Sequence, residues 1–412
     1  MPEITLKNIK ELIQPSIGED FEIIENNQKL LTAPGEHYGS IMLAVDLTIK
    51  KIKSETKESL NLVAKMIPAS DMLRDFFDVQ VTFKKEISAY LDAIPALISF
   101  QKECGVSEDK ILDIFPKCYG ARINLNNNNG AVNDDAAIIL ENLKIQGFVT
   151  GDRFVGLNLE EAEFIVQDLA RFHAVPIAMQ VLNKDQFNKK VLPCTVKNGC
   201  FDKVPEEVGK AFYNSLFDGV KQVPELLPLQ SKIEKLVEEG LQDLINRLPV
   251  NPLFGTIVHS DYWLSNTMLL HDINGKPIKN KIVDLQIMNY GSCLRDLVFF
   301  LFTSVVNEAL DDNYEKLINL YFKSFMANLK DYHLPNINEY TYEEFIKEMD
   351  FIGPKEFYHC GFMLKPIMTE KGKVESFENF QSSDWCRTDL LGEAHKRKLK
   401  SLVFSYQKRG WL

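Results

Sequence analysis

The distribution of apolar and polar positions divides the chain into a strand-rich first part and a helix-rich second part. The first part begins with a predicted helix and continues with two β-rich segments, residues 21–33 and 40–52. The second segment alternates apolar and polar residues, as in IMLAVDLTI, and this period of two is typical of a strand with one buried face. A short Pro/Gly segment, TAPGEHYGS, lies between them and predicts a hairpin turn.

One long helix pattern and two further strand patterns complete the first part. An apolar run at residues 60–67 holds a single lysine, Lys65. Residues 76–98 repeat apolar side chains at helical spacing. The side chains expected on the buried side of this helix are Phe83, Ile87, Tyr90, Leu91 and Ile94. An Asn-, Asp- and Gly-rich turn then leads to AAIILENL, residues 136–143, which we predict to be a short buried strand.

Beyond residue 143 the pattern becomes mainly helical. Residues 159–174 form a strongly amphipathic helix pattern, and one β-rich island occupies residues 254–289. The other predicted helices are residues 207–220, 229–247, 296–310, 313–329 and 343–350. A strand-rich part followed by a helical part indicates an α+β fold, and we predict one domain over residues 1–142 and a second over residues 143–412.

Composition narrows the class of protein. The 412 residues are 45% hydrophobic and 25% charged, which is typical of a globular chain with two or three packing units. A net charge of −11 disfavours nucleic acid and anionic membranes as partners. No apolar stretch has the length of a membrane span, and the N-terminus lacks a secretory signal. The seven scattered cysteines form no CxxC pair, which gives no support for a zinc ribbon and is consistent with a reducing compartment. Taken together, these features lead us to expect a cytoplasmic protein with no membrane insertion. No obligate protein partner is evident from the sequence.

The β-rich island carries the strongest chemical pattern. It contains HSDYWLSN, residues 259–266, and IVDLQ, residues 282–286. Phosphoryl transfer needs a carboxylate near the accepting hydroxyl and oxygen ligands for Mg²⁺ between the phosphates. Asp261 would orient or deprotonate the hydroxyl, while Asn266 and Asp284 would bind Mg²⁺. The sequence therefore predicts an ATP- and Mg²⁺-dependent phosphotransferase.

Four upstream features have the order that this chemistry requires. They are a Gly-containing turn at residues 34–40, the strand lysine Lys65, the helical acid Glu86, and the strand at residues 138–143. Taken singly, three of them have a simpler interpretation: the turn can be an ordinary turn, Lys65 an edge or snorkelling lysine, and Glu86 part of a solvated helix face. Together with the catalytic-loop pattern they favour one nucleotide site.

These motifs resemble the ecdysteroid-kinase-like branch of the aminoglycoside-phosphotransferase and choline-kinase superfamily. The resemblance covers nearly the whole chain. The segments that carry it are PGEHYGSIMLAV, FKKEISAY, IILENLKIQGF, DLARFHA, HSDYWLSNTML, IVDLQ with LRDLVFFL, and the terminal YQKRGWL. It implies a protein-kinase-like two-lobed fold, with a small antiparallel-sheet N-lobe containing one helix and a larger, mainly helical C-lobe.

The resemblance also implies residue roles. Asp261 would be the catalytic base, and Asn266 and Asp284 the Mg²⁺ ligands. Lys65 would contact the α/β-phosphates of ATP, steadied by Glu86. The phosphate turn would include Gly35, Gly39 and Ser40, and the backbone at Glu141 and Leu143 would hold adenine. Two positions depart from the common family pattern, because His37 and Ser260 stand where Asn and Gly are usual.

Several neighbouring residues have open interpretations. We expect His259 to brace the catalytic loop, and His173 to be a packed helix histidine rather than a second base. Asp296 and Arg295 are expected to orient the loop through a salt bridge. The resemblance implies a small-molecule alcohol as acceptor, either an ecdysteroid, another steroid-like compound or a xenobiotic. A choline- or ethanolamine-like acceptor is the alternative within the enzyme class, and a non-catalytic binding protein is the alternative outside it.

Overall fold

The computed structural model describes residues 4–31, 40–53, 56–125, 130–197, 206–246, 249–369 and 387–412. The expected phosphate turn at Gly35 and Gly39 lies outside the described residues, as does His37, whereas Ser40 lies inside them. Within the described ranges, no helix combines the length and apolar character needed to cross a bilayer.

The described elements follow the predicted order, with strands concentrated early and helices late. The strands are β1 (Phe21–Leu30), β2 (Ile41–Lys51), β3 (Lys57–Met66), β4 (Cys118–Arg122), β5 (Ala137–Glu141), β6 (Gly255–Val258), β7 (Thr267–His271), β8 (Pro277–Ile282) and β9 (Asn289–Ser292). The helices are α1 (Ile9–Ile17), α2 (Asp71–Phe76), α3 (Val79–Ser88), α4 (Ile94–Glu103), α5 (Leu159–Leu182), the single turn α6 (Lys184–Gln186), α7 (Glu206–Lys221), α8 (Gln230–Asn246), α9 (Leu294–Ser304), α10 (Asn307–Asp331), α11 (Tyr342–Met368) and α12 (Glu393–Lys408).

The N-terminal sheet is antiparallel, with strand order β1-β2-β3-β5-β4. The predicted alternation in β2 is confirmed, because Leu43, Val45, Leu47 and Ile49 are all buried in one cluster together with residues of α1. The helix lies very close to β4: a Cβ added at Gly120 would stand 1.8 Å from the carbonyl oxygen of Leu12. Only glycine fits that crossing.

The helix between β3 and β4 differs from the prediction. It consists of α3 and α4 joined by a π-helical turn, Ala89–Ala93, and the separate short helix α2 precedes it. A π turn inserts one extra residue into the helical repeat. As a result, the prediction that Leu91 is buried is wrong: its side chain is 46% exposed, and Ala93 and Leu97 face the core instead.

The C-terminal part packs around α5, which has α10 along its length. The predicted β-rich island is confirmed as two small antiparallel sheets, β6–β9 and β7–β8. The helix predicted over residues 296–310 ends earlier, at Ser304, because the chain forms a parallel bridge between Leu157 and Val305. Strand β4 and helix α12 had no counterpart in the prediction.

Contacts between the two parts hold the sheet over the β7–β8 hairpin. The Ile282 N–H donates to the carbonyl of Ile114 over 2.6 Å, and the buried ammonium of Lys281 bonds Asp113. An antiparallel five-stranded sheet joined to a mainly helical remainder confirms the expected two-lobed α+β fold. The boundary at residues 142–143 stays a prediction.

Candidate active site

Lys65 connects two carboxylates that are distant in sequence. Its Nζ lies 2.7 Å from Oε2 of Glu86 and 2.8 Å from Oδ1 of Asp284. Strand β3 presents Lys65 from the centre of the sheet, opposite Met42 on β2 and Ile138 on β5. Helix α3 supplies Glu86, which is fully buried. The structure thus brings together three residues that the sequence assigned to one site.

The charges of these three groups are strongly coupled. Burial alone would lower the pKa of Lys65, but Asp284 and Glu86 outweigh burial and raise that pKa above its ordinary value. Burial raises the pKa of Glu86, and the ammonium of Lys65 opposes this shift. Lys65 therefore stays protonated, and its positive charge holds two acids that would otherwise repel each other.

Asp261 and Asn266 lie side by side in the loop after β6. The Asn266 Nδ2 donates to the backbone oxygen of Asp261 over 2.8 Å and to its Oδ2 over 3.0 Å. Burial raises the pKa of Asp261 to about 8, with a further contribution from the charge of Asp284. Its second oxygen, Oδ1, is buried and accepts no hydrogen bond from the described residues. Asp261 is therefore a carboxyl group held ready to exchange a proton near neutral pH.

Two non-glycine residues of the site have left-handed backbone. Ser260 has φ of 69° and Asp284 has φ of 65°. This conformation costs an L-residue about 1–2 kcal/mol. The left-handed backbone explains why glycine suits position 260, where this chain has serine. Because each of these residues adjoins or belongs to the predicted catalytic set, the strain is located where the side chains need a fixed direction.

Asp296 holds the loop of Asp261 in place through backbone N–H groups of that loop. Its two carboxylate oxygens accept the N–H groups of His259 over 2.6 Å and of Ser260 over 2.9 Å. Although burial opposes it, hydrogen bonding from His173 holds the pKa of Asp296 below its ordinary value. The expectation that Asp296 orients the loop is confirmed, but backbone hydrogen bonds do this rather than a salt bridge with Arg295.

The two histidines near the loop have structural partners. His173 is fully buried, and its ring nitrogens contact Tyr321 Oη at 2.7 Å and Asp296 at 3.1 Å, which confirms a packed helix histidine. His259 Nε2 contacts the carbonyl of Val283 at 2.9 Å, and its Nδ1 accepts the Asp261 N–H over 3.3 Å. Burial lowers the pKa of His259, so its neutral ring can donate at one nitrogen and accept at the other.

Arg295 does not orient the loop as expected. Its guanidinium pairs with Asp243 on α8 and Glu356 on α11. Sequence reasoning missed these partners because they lie 52 and 61 positions away. These two ion pairs tie α9 to helices α8 and α11.

The remaining described residues of the predicted site lie at or just beyond the ends of two interior strands, β2 and β5. Ser40 directly precedes β2, and Glu141 ends β5. The Glu141 N–H donates to the carbonyl of Lys117 over 2.9 Å. The carbonyl of Leu143 accepts the N–H groups of Gln146 and Phe148. These bonds use the N–H of Glu141 and the carbonyl of Leu143. They do not involve the Glu141 carbonyl or the Leu143 N–H.

The two predicted metal ligands, Asn266 and Asp284, are not part of a larger cluster of ligating side chains among the described residues. Over the described ranges, no group of three or more His, Cys, Asp or Glu side chains could hold an ion. Asn266 and Asp284 adjoin through the backbone, because the Val283 N–H donates to the Asn266 carbonyl over 3.0 Å. Since the Asn266 amide nitrogen faces Asp261, its amide oxygen faces the other way.

Several solved structures resemble this chain at low sequence identity. The Plasmodium vivax ethanolamine kinase is 12% identical with a TM-score of 0.38, and the match covers 98% of this chain and 87% of that one. The GDP complex of wild-type aminoglycoside 2′-phosphotransferase-IIIa is 12% identical with a TM-score of 0.38, covering 95% and 97%. The microcompartment-associated aminopropanol kinase is 9% identical with a TM-score of 0.39, covering 94% of each.

Sequence comparison gives a more specific result. No curated protein matches the sequence. The profile of the ecdysteroid kinase-like family matches residues 34–334, which include every residue predicted for the site. Because this match spans most of the 412 residues, the chain belongs to the ecdysteroid kinase-like family.

Proposed function

We propose that the protein transfers the γ-phosphate of ATP to the hydroxyl group of a small-molecule alcohol. The observation that carries the proposal is the meeting of Glu86 and Asp284 at the ammonium of Lys65. A buried lysine that touches two acids from different lobes can neutralise phosphate oxygens while the acids keep it in place. Family membership supports the same chemistry.

The nucleotide would bind between the lobes. Its adenine would bond the Glu141 carbonyl and the Leu143 N–H, and its phosphates would reach Lys65. Ser40, with Gly35 and Gly39, would contribute the turn over the phosphates. The proposed division into an N-lobe of residues 1–142 and a C-lobe of residues 143–412 places the adenine contacts at the junction of the two.

The donor set suits Mg²⁺. This ion prefers hard oxygen ligands and is usually held by one or two carboxylates together with phosphate oxygens and waters. Asp284 would provide a carboxylate, and Asn266 would provide its amide oxygen. When bound, the ion would offset charge on the phosphates during transfer. Asp261 would orient the acceptor hydroxyl and, in its ionised form, take the proton of that hydroxyl.

The acceptor class comes from the family. An ecdysteroid, another steroid-like alcohol or a xenobiotic is the first candidate, and a choline- or ethanolamine-like amino alcohol is the second. The test is ADP release from Mg²⁺-ATP by the purified full chain, with ecdysteroids, other sterols, plant glycosides, choline and ethanolamine as acceptors.

Two substitutions make that assay decisive. Asp261→Asn should remove acceptor-stimulated ADP release while nucleotide binding persists, and Asp284→Ala should remove Mg²⁺-dependent turnover. Asp185→Asn, at an exposed residue of α6, is the matched control and should leave both unchanged. Binding of Mg²⁺-ATP with no stimulation by any acceptor would favour the non-catalytic alternative. Full activity of Asp284→Ala would overturn the metal assignment.

A further inference from the structure

One segment between α6 and α7 contacts both helix α3, which carries Glu86, and the part of the chain that follows Asp284. Residues 187–196, which we call the brace, comprise a π-helical turn, Phe187–Val191, a 3₁₀ turn, Leu192–Cys194, and the two residues after it. The residues of the brace whose side chains are almost fully buried are Phe187, Val191, Cys194 and Val196. Burial of these apolar side chains ties the irregular segment to the elements that it packs against.

The brace bonds the helix that carries Glu86 on both sides of that residue. The Lys85 Nζ donates to the carbonyl of Pro193 over 2.6 Å. The Cys194 thiol lies 3.3 Å from the carbonyl of Ser88, and 3.2 Å from that of Lys190 in the brace itself. These contacts are made by a segment of the C-terminal part, more than 100 positions along the chain from α3.

The other end of the brace bonds the segment that carries Asp284. The Val196 N–H donates to the carbonyl of Met288 over 2.8 Å. The Phe187 ring also packs edge-on against Tyr290 at a centroid distance of 6.3 Å. Met288 follows Asp284 by four positions and directly precedes β9, and Tyr290 lies within β9. One short segment therefore connects the helix that carries Glu86 to the part of the chain that carries Asp284, and this connection does not involve Lys65.

This second link has an electrostatic reason. Glu86 and Asp284 lie 2.7 Å and 2.8 Å from one ammonium, so the two carboxylates are close enough to repel each other. Repulsion would move α3 away from the loop whenever Lys65 turns toward a phosphate. The contacts of the brace use backbone carbonyls as acceptors and apolar packing, and Lys65, Glu86 and Asp284 are not among their partners, so they oppose that movement whichever charges those three groups carry.

We infer that the brace is a positioning element, which holds Glu86 at a fixed separation from Asp284, and that Lys85 and Cys194 are positioning residues of this device. The inference rests on the proposed phosphotransfer for its catalytic consequence. Neither side chain reaches the reacting groups. Each acts through the helix that presents Glu86.

The test removes both side-chain bonds from the full-length chain. Lys85→Met with Cys194→Val removes both donors and changes the size of each side chain by one heavy atom. Lys84→Met changes the neighbouring lysine, for which no bond to the brace is found among the described residues, and is the matched control. Lys85→Arg with Cys194→Ser keeps the donors and is the rescue variant. Hydrogen–deuterium exchange of residues 79–103 and steady-state kinetics are measured on all four proteins.

We expect exchange in residues 79–103 to be about ten- to thirtyfold faster in the double variant, the effect of losing two hydrogen bonds from a local opening equilibrium. The kcat should fall by a similar factor while the KM for the acceptor stays unchanged, and the rescue variant should match wild type. Unchanged exchange in residues 79–103 would overturn the inference, and so would faster exchange spread equally over the sheet. If wild type phosphorylates no acceptor, the exchange result still decides the role of the brace, and the proposed function alone is lost.

Discussion

Replacing Asp261 by Asn should stabilise the ligand-free protein while it removes turnover. The side chain keeps its shape, and the Asn266 amide still finds an oxygen to donate to at position 261. What disappears is the ionisable proton. Burial and the charge of Asp284 raise the pKa of Asp261 from 3.8 to about 8, so the folded protein binds a proton that the unfolded chain releases near neutral pH.

The sign of the pH dependence follows directly. Below pH 4 the carboxyl is neutral in both states and has no effect on the free energy of unfolding. Between pH 4 and pH 8 the unfolded chain ionises first, so stability is lost as the pH rises. At about 1.4 kcal/mol per pKa unit, the cost at pH 7 has an upper limit of about 4 kcal/mol. Because the side chain is partly accessible to water, we expect on the order of 1–2 kcal/mol.

Thermal melting of the ligand-free protein across this pH range measures the effect. The melting temperature of Asp261→Asn should equal that of wild type near pH 4 and exceed it by roughly 1–4 °C at pH 8. Asp185→Asn should follow wild type at every pH. A constant difference between Asp261→Asn and wild type, or a more stable wild type at pH 8, would refute the assignment of a neutral Asp261 carboxyl in the folded protein.

Three other substitutions probe single features. Lys65→Met should lower the free energy of unfolding by about 3–5 kcal/mol in thermal or denaturant melts, because it leaves Glu86 buried without its cation; Glu86→Gln in the same chain should recover part of the loss. Ser260→Gly should raise that free energy by about 1 kcal/mol with turnover retained, since it relieves a φ of 69°, and a lower melting temperature would contradict the strain argument. Gly120→Ala should lower the free energy of unfolding by about 2 kcal/mol or more, because the added Cβ would stand 1.8 Å from the Leu12 carbonyl oxygen. An unchanged melting curve would show that α1 moves freely.

The α+β fold and the proximity of several candidate residues could be predicted because their signals are local. A period of two in β2 places Leu43, Val45 and Leu47 on one face whatever lies beyond it. The candidate site residues Asp261 and Asn266 are only five positions apart, so their short spacing keeps them close together.

Features that depend on distant contacts could not be predicted. No local pattern announces the π turn at Ala89–Ala93, and one inserted residue was enough to misplace Leu91. Arg295 was assigned to the nearest loop, yet its partners Asp243 and Glu356 lie on helices that approach it only in the folded chain. The same is true of Lys85, whose acceptor in the brace is 108 positions away.

The separation of the three charged residues has a consequence for synthesis on the ribosome. Lys65 and Glu86 are 21 positions apart, whereas Asp284 follows Lys65 by 219 positions. At about 5–20 residues per second, Asp284 is made roughly 11–44 seconds after Lys65. A nascent chain can assemble its early sheet and the first ion pair in that interval. The second carboxylate arrives only with the later lobe, so an unfinished chain lacks a complete cluster.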